Sequence, residues 1–340
     1  MASDSDEDLL SLRRAAREML DMARLKRLHL HGDWERASRL RLQGLSLLYD
    51  ASRRFSIPRV RFDIEDFTDD TCLTFYRFTH AQLHRLQDCF GLPDVIRTGS
   101  HSRTCCSGLE GLWSISERCN ALLEGNLDLA SSRLHEFAQA IYDQGGELDR
   151  VWGFVDGIVR GICRPAGAHA QRSVYNGHKR KHALKFQTVV TPDGMIFHLF
   201  GPVEGCRHDI VLLRKPELGN RIRGDERFRG LFIYGDQAYG RTDVFVSPFK
   251  GALTPAQAVI NSSMPEVRTT VEWSYGQVVN YWGGVDFKRK KMCLGGVPVA
   301  TLYKIAVVLT NCITIVRGGN NNSRYFGVEP PSLQEYFTIE

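Results

Sequence analysis

No pair among the nine cysteines is spaced Cys-x-x-Cys, and the count is odd. That pattern excludes a ribbon-type zinc site and a closed disulfide framework, and it fits reduced thiols in a cytosolic or nuclear protein. A basic leader is missing as well. Met1-Ala-Ser-Asp-Ser-Asp-Glu-Asp8 is acidic where a secretory signal carries positive charge, so secretion is not expected and the sequons at Asn261 and Asn321 read as chance matches. Uninterrupted apolar runs of membrane-spanning length are absent too. The longest stretch, near Val297–Val316, is broken by Lys304 and Asn311, which predicts a buried helix or strand and no membrane partner. There is no internal repeat, and the one biased tract, Gly318-Gly-Asn-Asn-Asn322, reads as a flexible loop.

What remains is an ordinary globular composition spread over 340 residues, long enough for two or three domains or one large domain with an appendage. The charge is unevenly placed. Residues 1–150 hold 20 Lys and Arg against 24 Asp and Glu, a net −4, whereas residues 151–340 hold 24 against 15, a net +9. A basic C-terminal part suits an anionic partner, and charge by itself leaves nucleic acid and a membrane surface both open.

The hydrophobic periodicity follows the same division. Residues 1–71 read as a helical arm (9–48) with a polar connector. Arg13, Arg14, Arg17 and Arg24 lie on the arm, and the sequence leaves open whether that face meets nucleic acid or only water. Residues 72–150 read as further helices: 72–92, ended by Gly91-Leu-Pro93, then Leu109–Leu123 and Ala130–Tyr142. From 151 the period shortens to that of strands. Val151–Val155, Leu184–Val190, Met195–Phe200 and Leu231–Tyr234 are strand candidates, with Thr191-Pro-Asp-Gly194 as a hairpin turn. Helices are expected at His208–Leu213, Thr254–Asn261 and Val267–Trp282. The fold class expected is mixed α/β over 151–316, followed by a tail at 317–340.

Three acids stand out by their setting. Asp156 and Asp236 each follow an apolar strand, and Glu272 lies in a helical stretch. Carboxylates at strand C-termini face the crevice where open α/β sheets place ligands, and burying one is costly unless it is paired or bound to metal. Three converging carboxylates make a hard oxygen site suited to Mg²⁺ or Mn²⁺, and two such ions clamp an in-line phosphoryl displacement. Taken singly, an Asp at a strand end is more often part of a turn and a Glu on a helix is usually solvated.

Val151-Trp-Gly-Phe-Val-Asp156-Gly157, Ile162-Cys-Arg-Pro165, Tyr175-Asn-Gly-His-Lys-Arg-Lys-His182, Gly201-Pro-Val-Glu-Gly-Cys-Arg-His-Asp209, Tyr234-Gly-Asp236-Gln-Ala-Tyr-Gly240, Ser247-Pro-Phe249 and Asn261 through Arg268-Thr-Thr-Val-Glu272-Trp-Ser-Tyr-Gly276 run in order along the chain. This series resembles the PIF/Harbinger superfamily of transposases and transposase-derived nucleases. The resemblance implies an RNase H-like catalytic domain whose metal-binding DDE triad is Asp156, Asp236 and Glu272, with His208 and Asp209 as an accessory pair or a structural turn. Tyr275 stands where the family pattern has Phe. The family's helix-turn-helix finds only Leu109–Leu127 available and looks truncated here.

The densest basic clusters, His178–His182 and Lys288–Lys291, lie in or beside these blocks. Lys179, Arg180, Lys181, Lys288, Arg289, Lys290 and Lys291 are therefore candidate DNA contacts, giving salt-dependent and largely sequence-independent affinity. Phe287–Lys291 also reads as a nuclear-localisation signal. Tyr281 and Trp282 suit either base stacking or core packing. The resemblance implies a divalent metal cofactor, a nuclear location, DNA as partner, a Myb-like DNA-binding protein as a second one, and room for homo-oligomerisation. It leaves three functions to separate: a metal-dependent DNA endonuclease or transposase, a catalytically silent DNA- or protein-binding derivative, and an RNase H-like nuclease on RNA.

Overall fold

Asp156 lies on one strand of a mixed sheet and Asp236 two residues past the end of its neighbour, and the rest of the fold is built outward from that sheet. The structure, a computed structural model, describes residues 64–92, 106–165, 167–207, 218–286 and 299–338. The chain divides into two units, and nearly all the described residues belong to the one comprising Glu65–Leu92, Ser114–Cys293 and Val299–Glu340. The arm expected at 9–48 and the helix expected at His208–Leu213 lie outside the described residues.

Helices α1 (Asp69–Tyr76), α2 (His80–Phe90), α3 (Cys106–Leu123), α4 (Leu127–Ser131) and α5 (Leu134–Asp143) lead into the sheet. The single helix expected over 72–92 is thus two. Arg77 takes the left-handed conformation, and Thr79 opens α2 with a capping box closed by Gln82. A threonine three residues before a glutamine is a start signal that the apolar spacing masks. The helix expected at 130–142 is likewise split, with Asn126 capping the short α4 before α5 begins.

The sheet comprises β1 (Val151–Gly161), then, after α6 (Ala168–Val174), β2 (Tyr175–Asn176), β3 (Lys181–Val190) and β4 (Ile196–Glu204), and, after α7 (Leu218–Gly224), β5 (Phe232–Tyr234) and β6 (Phe245–Val246). The order across it is β2-β3-β1-β5-β6, with β4 also on β3. β3 is antiparallel to β1 and to β4, whereas β5 runs parallel to β1 and β6 parallel to β5. The Thr191–Gly194 turn closes the β3–β4 hairpin, with Thr191 N–H donating to Met195 C=O at 3.1 Å. β3 is buried almost throughout, as a central strand covered on both faces should be. Trp152 on β1 anchors one side, edge-on to Phe197 and Phe228 at 5.6 and 5.5 Å.

Helices α8 (Pro255–Arg268) and α9 (Thr270–Tyr281) follow, then α10 (Val299–Val316), α11 (Asn321–Phe326) and α12 (Leu333–Phe337). By length and composition α10 could cross a bilayer, yet Tyr303, Thr310, Asn311 and Thr314 are buried on it. The two polar residues in its apolar run have partners: Lys304 donates to Asn120 Oδ1 on α3 at 2.8 Å, and Asn311 binds the backbone of Ile196 on β4. The flexible loop expected at Gly318–Asn322 is instead fixed. Asn320 is buried, caps α11 through Asn322 and Ser323 N–H, and donates to Gly194 C=O in the hairpin turn at 2.8 Å. Gly194 has φ +83°, and a Cβ there would sit 2.2 Å from Asn320 Oδ1. The tract is polar because it is a buried hydrogen-bonding insert.

Candidate active site

The parallel pairing of β1 and β5 ends at Phe154 opposite Tyr234. Asp156 lies two residues past Phe154 and Asp236 two residues past Tyr234, so the two acids follow the last pair of two parallel strands, which run about 4.8 Å apart, by the same offset. The strand-end placement expected for Asp156 needs one correction. β1 continues to Gly161, because its second half still pairs with β3, Asp156 opposite Thr188 and Gly161 opposite Ala183. Only the parallel side of the strand ends before Asp156, and that opens the crevice on the β5 side.

Asp236 sits in a tight turn. Gly235 N–H donates to Val246 C=O at 2.9 Å, and the Asp236 carboxylate accepts from Ala238 N–H at 2.9 Å. Position 235 has no room for a side chain: a Cβ would lie 2.7 Å from Val155 Cγ1 and from Tyr239 Cδ2. Glu272 is exposed in the first turn of α9. Thr269, between α8 and α9, keeps right-handed helical angles, so Arg268 and Glu272 stay four residues apart along nearly continuous helix. The Arg268 guanidinium reaches Asp156, Nη1 to Oδ1 at 3.3 Å.

Burial pushes the Asp156 carboxyl up from its ordinary range, and the carboxylates of Asp236 and Glu272 push it the same way. Arg268 and the Gly157 N–H, which donates to Asp156 Oδ1 at 2.9 Å, work against that rise. Asp156 therefore lies within the electrostatic reach of both other acids. The three are not drawn into a coordinating cluster: among the described residues no group of three His, Cys, Asp or Glu is placed to hold a metal ion. Their hard oxygen donors suit a divalent cation, and the crowding of negative charge on Asp156 is what such a cation relieves. In this arrangement the cation beside Asp156 is Arg268.

The surrounding shell fixes β1 against α9 and α10. Thr188 Oγ1 lies 3.5 Å from Asp156 C=O and shares a short hydrogen bond with the Tyr275 hydroxyl. Arg160 on β1 donates to the Tyr303 hydroxyl at 3.0 Å and to Tyr275 C=O at 3.4 Å. Asn261 on α8 clamps the Phe249 backbone after β6, accepting from its N–H at 2.8 Å and donating to its C=O at 3.0 Å. That clamp seats the helix that carries Arg268.

Lys179, Arg180 and Lys181 are exposed at the β2–β3 turn, where Asn176 pairs with Lys181. Five residues separate Asp156 from Gly161 beside that turn, about 17 Å of strand. His208, Asp209, Lys288, Arg289, Lys290 and Lys291 lie outside the described residues. Tyr281 and Trp282 take up packing roles: the Arg317 guanidinium lies 5.3 Å from the Tyr281 ring, and Trp282 Nε1 donates to Thr310. In the sequence Arg268 belongs to the block that runs from Asn261 to Gly276 and lies four residues before Glu272, which places both on one helix face, but nothing there points to Asp156.

A model of the DDE superfamily endonuclease family matches residues 155–311, just under half of the chain and including Asp156, Asp236 and Glu272. No curated protein and no solved structure matches the chain.

Proposed function

We propose that this protein is a metal-dependent DNA endonuclease of transposase type, in which Asp156, Asp236 and Glu272 bind Mg²⁺ or Mn²⁺ and act on a phosphodiester. The observation that carries this reading is that Asp156 and Asp236 each lie two residues past the last pair, Phe154 and Tyr234, that two adjacent parallel strands make with each other, inside the stretch similar to DDE superfamily endonucleases. The strand order, with the three long strands β1, β3 and β4 antiparallel and β5 and β6 parallel to β1, supports an RNase H-like assignment. The ordered motif series supports the finer placement in the PIF/Harbinger superfamily, and with it a nuclear location and a Myb-like partner that selects the site.

Divalent ions on these carboxylates would supply Lewis-acid activation of the attacking water or 3′-hydroxyl and stabilisation of the leaving oxygen. The chain's own residues do the rest. Asp156 and Asp236 are held on the sheet by strand pairing and by the Asp236 turn, so their positions need little reorganisation. Glu272 approaches from the helix side and is exposed. Lys179, Arg180 and Lys181 at the hairpin tip bind backbone phosphates and orient the duplex, without reading its sequence.

The test is nicking of supercoiled DNA in Mg²⁺ or Mn²⁺, with chelator as control. Asp156→Asn and Asp236→Asn each remove a charged ligand worth several kcal/mol, so the rate is expected to fall on the order of 10³-fold while the fold is retained. Full activity in either variant removes the triad. A folded wild-type protein that binds DNA but does not nick it, with or without a Myb-like partner, moves the function to DNA binding alone.

A further inference from the structure

We propose that Arg268 is a resident counter-cation: it neutralises Asp156 in the metal-free protein, is displaced when a divalent ion enters, and is then free to face a phosphate of the bound strand. The inference rests on the metal-binding reading of Asp156, and it adds a residue and an order of events which that reading does not contain.

The Arg268 guanidinium approaches Asp156 at 3.3 Å, Nη1 to Oδ1, longer than the roughly 2.7–2.9 Å of a tight forked guanidinium–carboxylate pair. Arg268 is 25% exposed and Asp156 18%, so the pair can open without breaking core packing. Both ends have reason to accept the exchange. Asp156 stands near two further carboxylates, so one monovalent guanidinium leaves excess negative charge that a dication removes more completely. Arg268 is already part-exposed, so water can solvate it after the carboxylate is gone. Its planar fork suits a phosphate oxygen pair better than a lysine would.

The arrangement also accounts for the uncoordinated triad. With Arg268 lodged against Asp156, the three acids share a field but no common centre. Metal and arginine compete for one carboxylate, so each weakens the other's hold on it by the same factor.

Titration calorimetry with Mn²⁺ alone, on the full chain without DNA, tests this. Arg268→Gln and Arg268→Met both remove the competitor, and Mn²⁺ affinity is expected to rise, about 5- to 100-fold. An arginine that merely supports the fold or the site would weaken Mn²⁺ binding when removed, or leave it unchanged. Either result in folded variants overturns the proposal. Asp156→Asn is measured alongside. Loss of Mn²⁺ binding there keeps the metal-site reading alive whatever Arg268 does, whereas unchanged binding overturns that reading and this proposal together. In the wild type, the side-chain NMR signal of Arg268 is expected to shift and sharpen on titration with Mg²⁺ as the guanidinium is released. An unmoved signal at saturating Mg²⁺ overturns the proposal without relying on any variant.

Discussion

Three acids with one proposed role sit in three different local settings. Asp156 is on a paired strand, Asp236 in a tight turn, and Glu272 on an exposed helical turn. The turn depends on Gly235 for space and not for backbone angle, because Val155 and Tyr239 fill the volume that a Cβ needs. Gly235→Ala is therefore expected to cost about 1–3 kcal/mol through overpacking, and to displace Asp236 enough to depress nicking more than stability. Thermal melts and rates measured on the same preparation separate the two effects, and an unchanged rate would show that the turn tolerates the methyl group. At this scale the sequence is informative where chemistry depends on neighbours along the chain. An acid after an apolar strand is visible in a string of letters. Arg268 against Asp156 is not, since 112 positions separate them and only the packing of α8 across the sheet end brings them together. The hydroxyl that distinguishes Tyr275 from the expected Phe gains its meaning the same way, from Thr188 on another element.

Most elements are legible in the sequence, and their ends are not. Strands β3, β4 and β5 and helices α8 and α9 fall where hydrophobic period and turn residues put them, although α8 runs on past Asn261 to Arg268, and the apolar run near 297–316, which the sequence leaves open as helix or strand, is the helix α10. The misjudged boundaries share a cause: local polar chemistry overrides periodicity, as with Thr79 starting a new helix and Asn126 capping a short one. The polar residues inside α10 carry the clearest lesson. In the sequence Asn311 reads only as an interruption in an apolar run. In the fold it accepts from Ile196 N–H and donates to Ile196 C=O, each at 3.0 Å, and donates also to the Tyr336 hydroxyl. Asn311→Leu keeps the branched shape and strands three buried polar groups. A loss of roughly 2–5 kcal/mol is expected, at about 1–3 kcal/mol per orphaned group with partial relaxation. Urea denaturation reads it directly, and a loss below about 1 kcal/mol would mean that other partners or water replace the amide.

For the whole molecule, the charge split of −4 and +9 puts the basic excess on the part of the chain that holds the three acids. Among the described residues the densest exposed run of that excess is Lys179, Arg180 and Lys181 at the β2–β3 turn, at the end of the sheet toward which β1 runs. Replacing all three with Ala should weaken binding to unrelated DNA duplexes alike, and lower the slope of log affinity against log salt by about 0.9 for each phosphate that is no longer neutralised. Fluorescence anisotropy over a salt series measures this, and an unchanged slope would place the DNA elsewhere. Architecture of this kind is only partly readable from sequence, because strand order depends on long-range pairing that no local pattern encodes.

The hydrogen bonding between Asn311 and Ile196 also bears on how the chain is made. β4 lies at an edge of the sheet, where open N–H and C=O groups invite a strand from another molecule. The amide that occupies two of those groups comes from 115 residues further along the chain. At ribosomal speeds of about 5–20 residues per second, β4 emerges on the order of ten seconds before its cover does. Nascent chains halted in that interval present an unguarded edge, so ribosome stalling between β4 and α10 should favour aggregation.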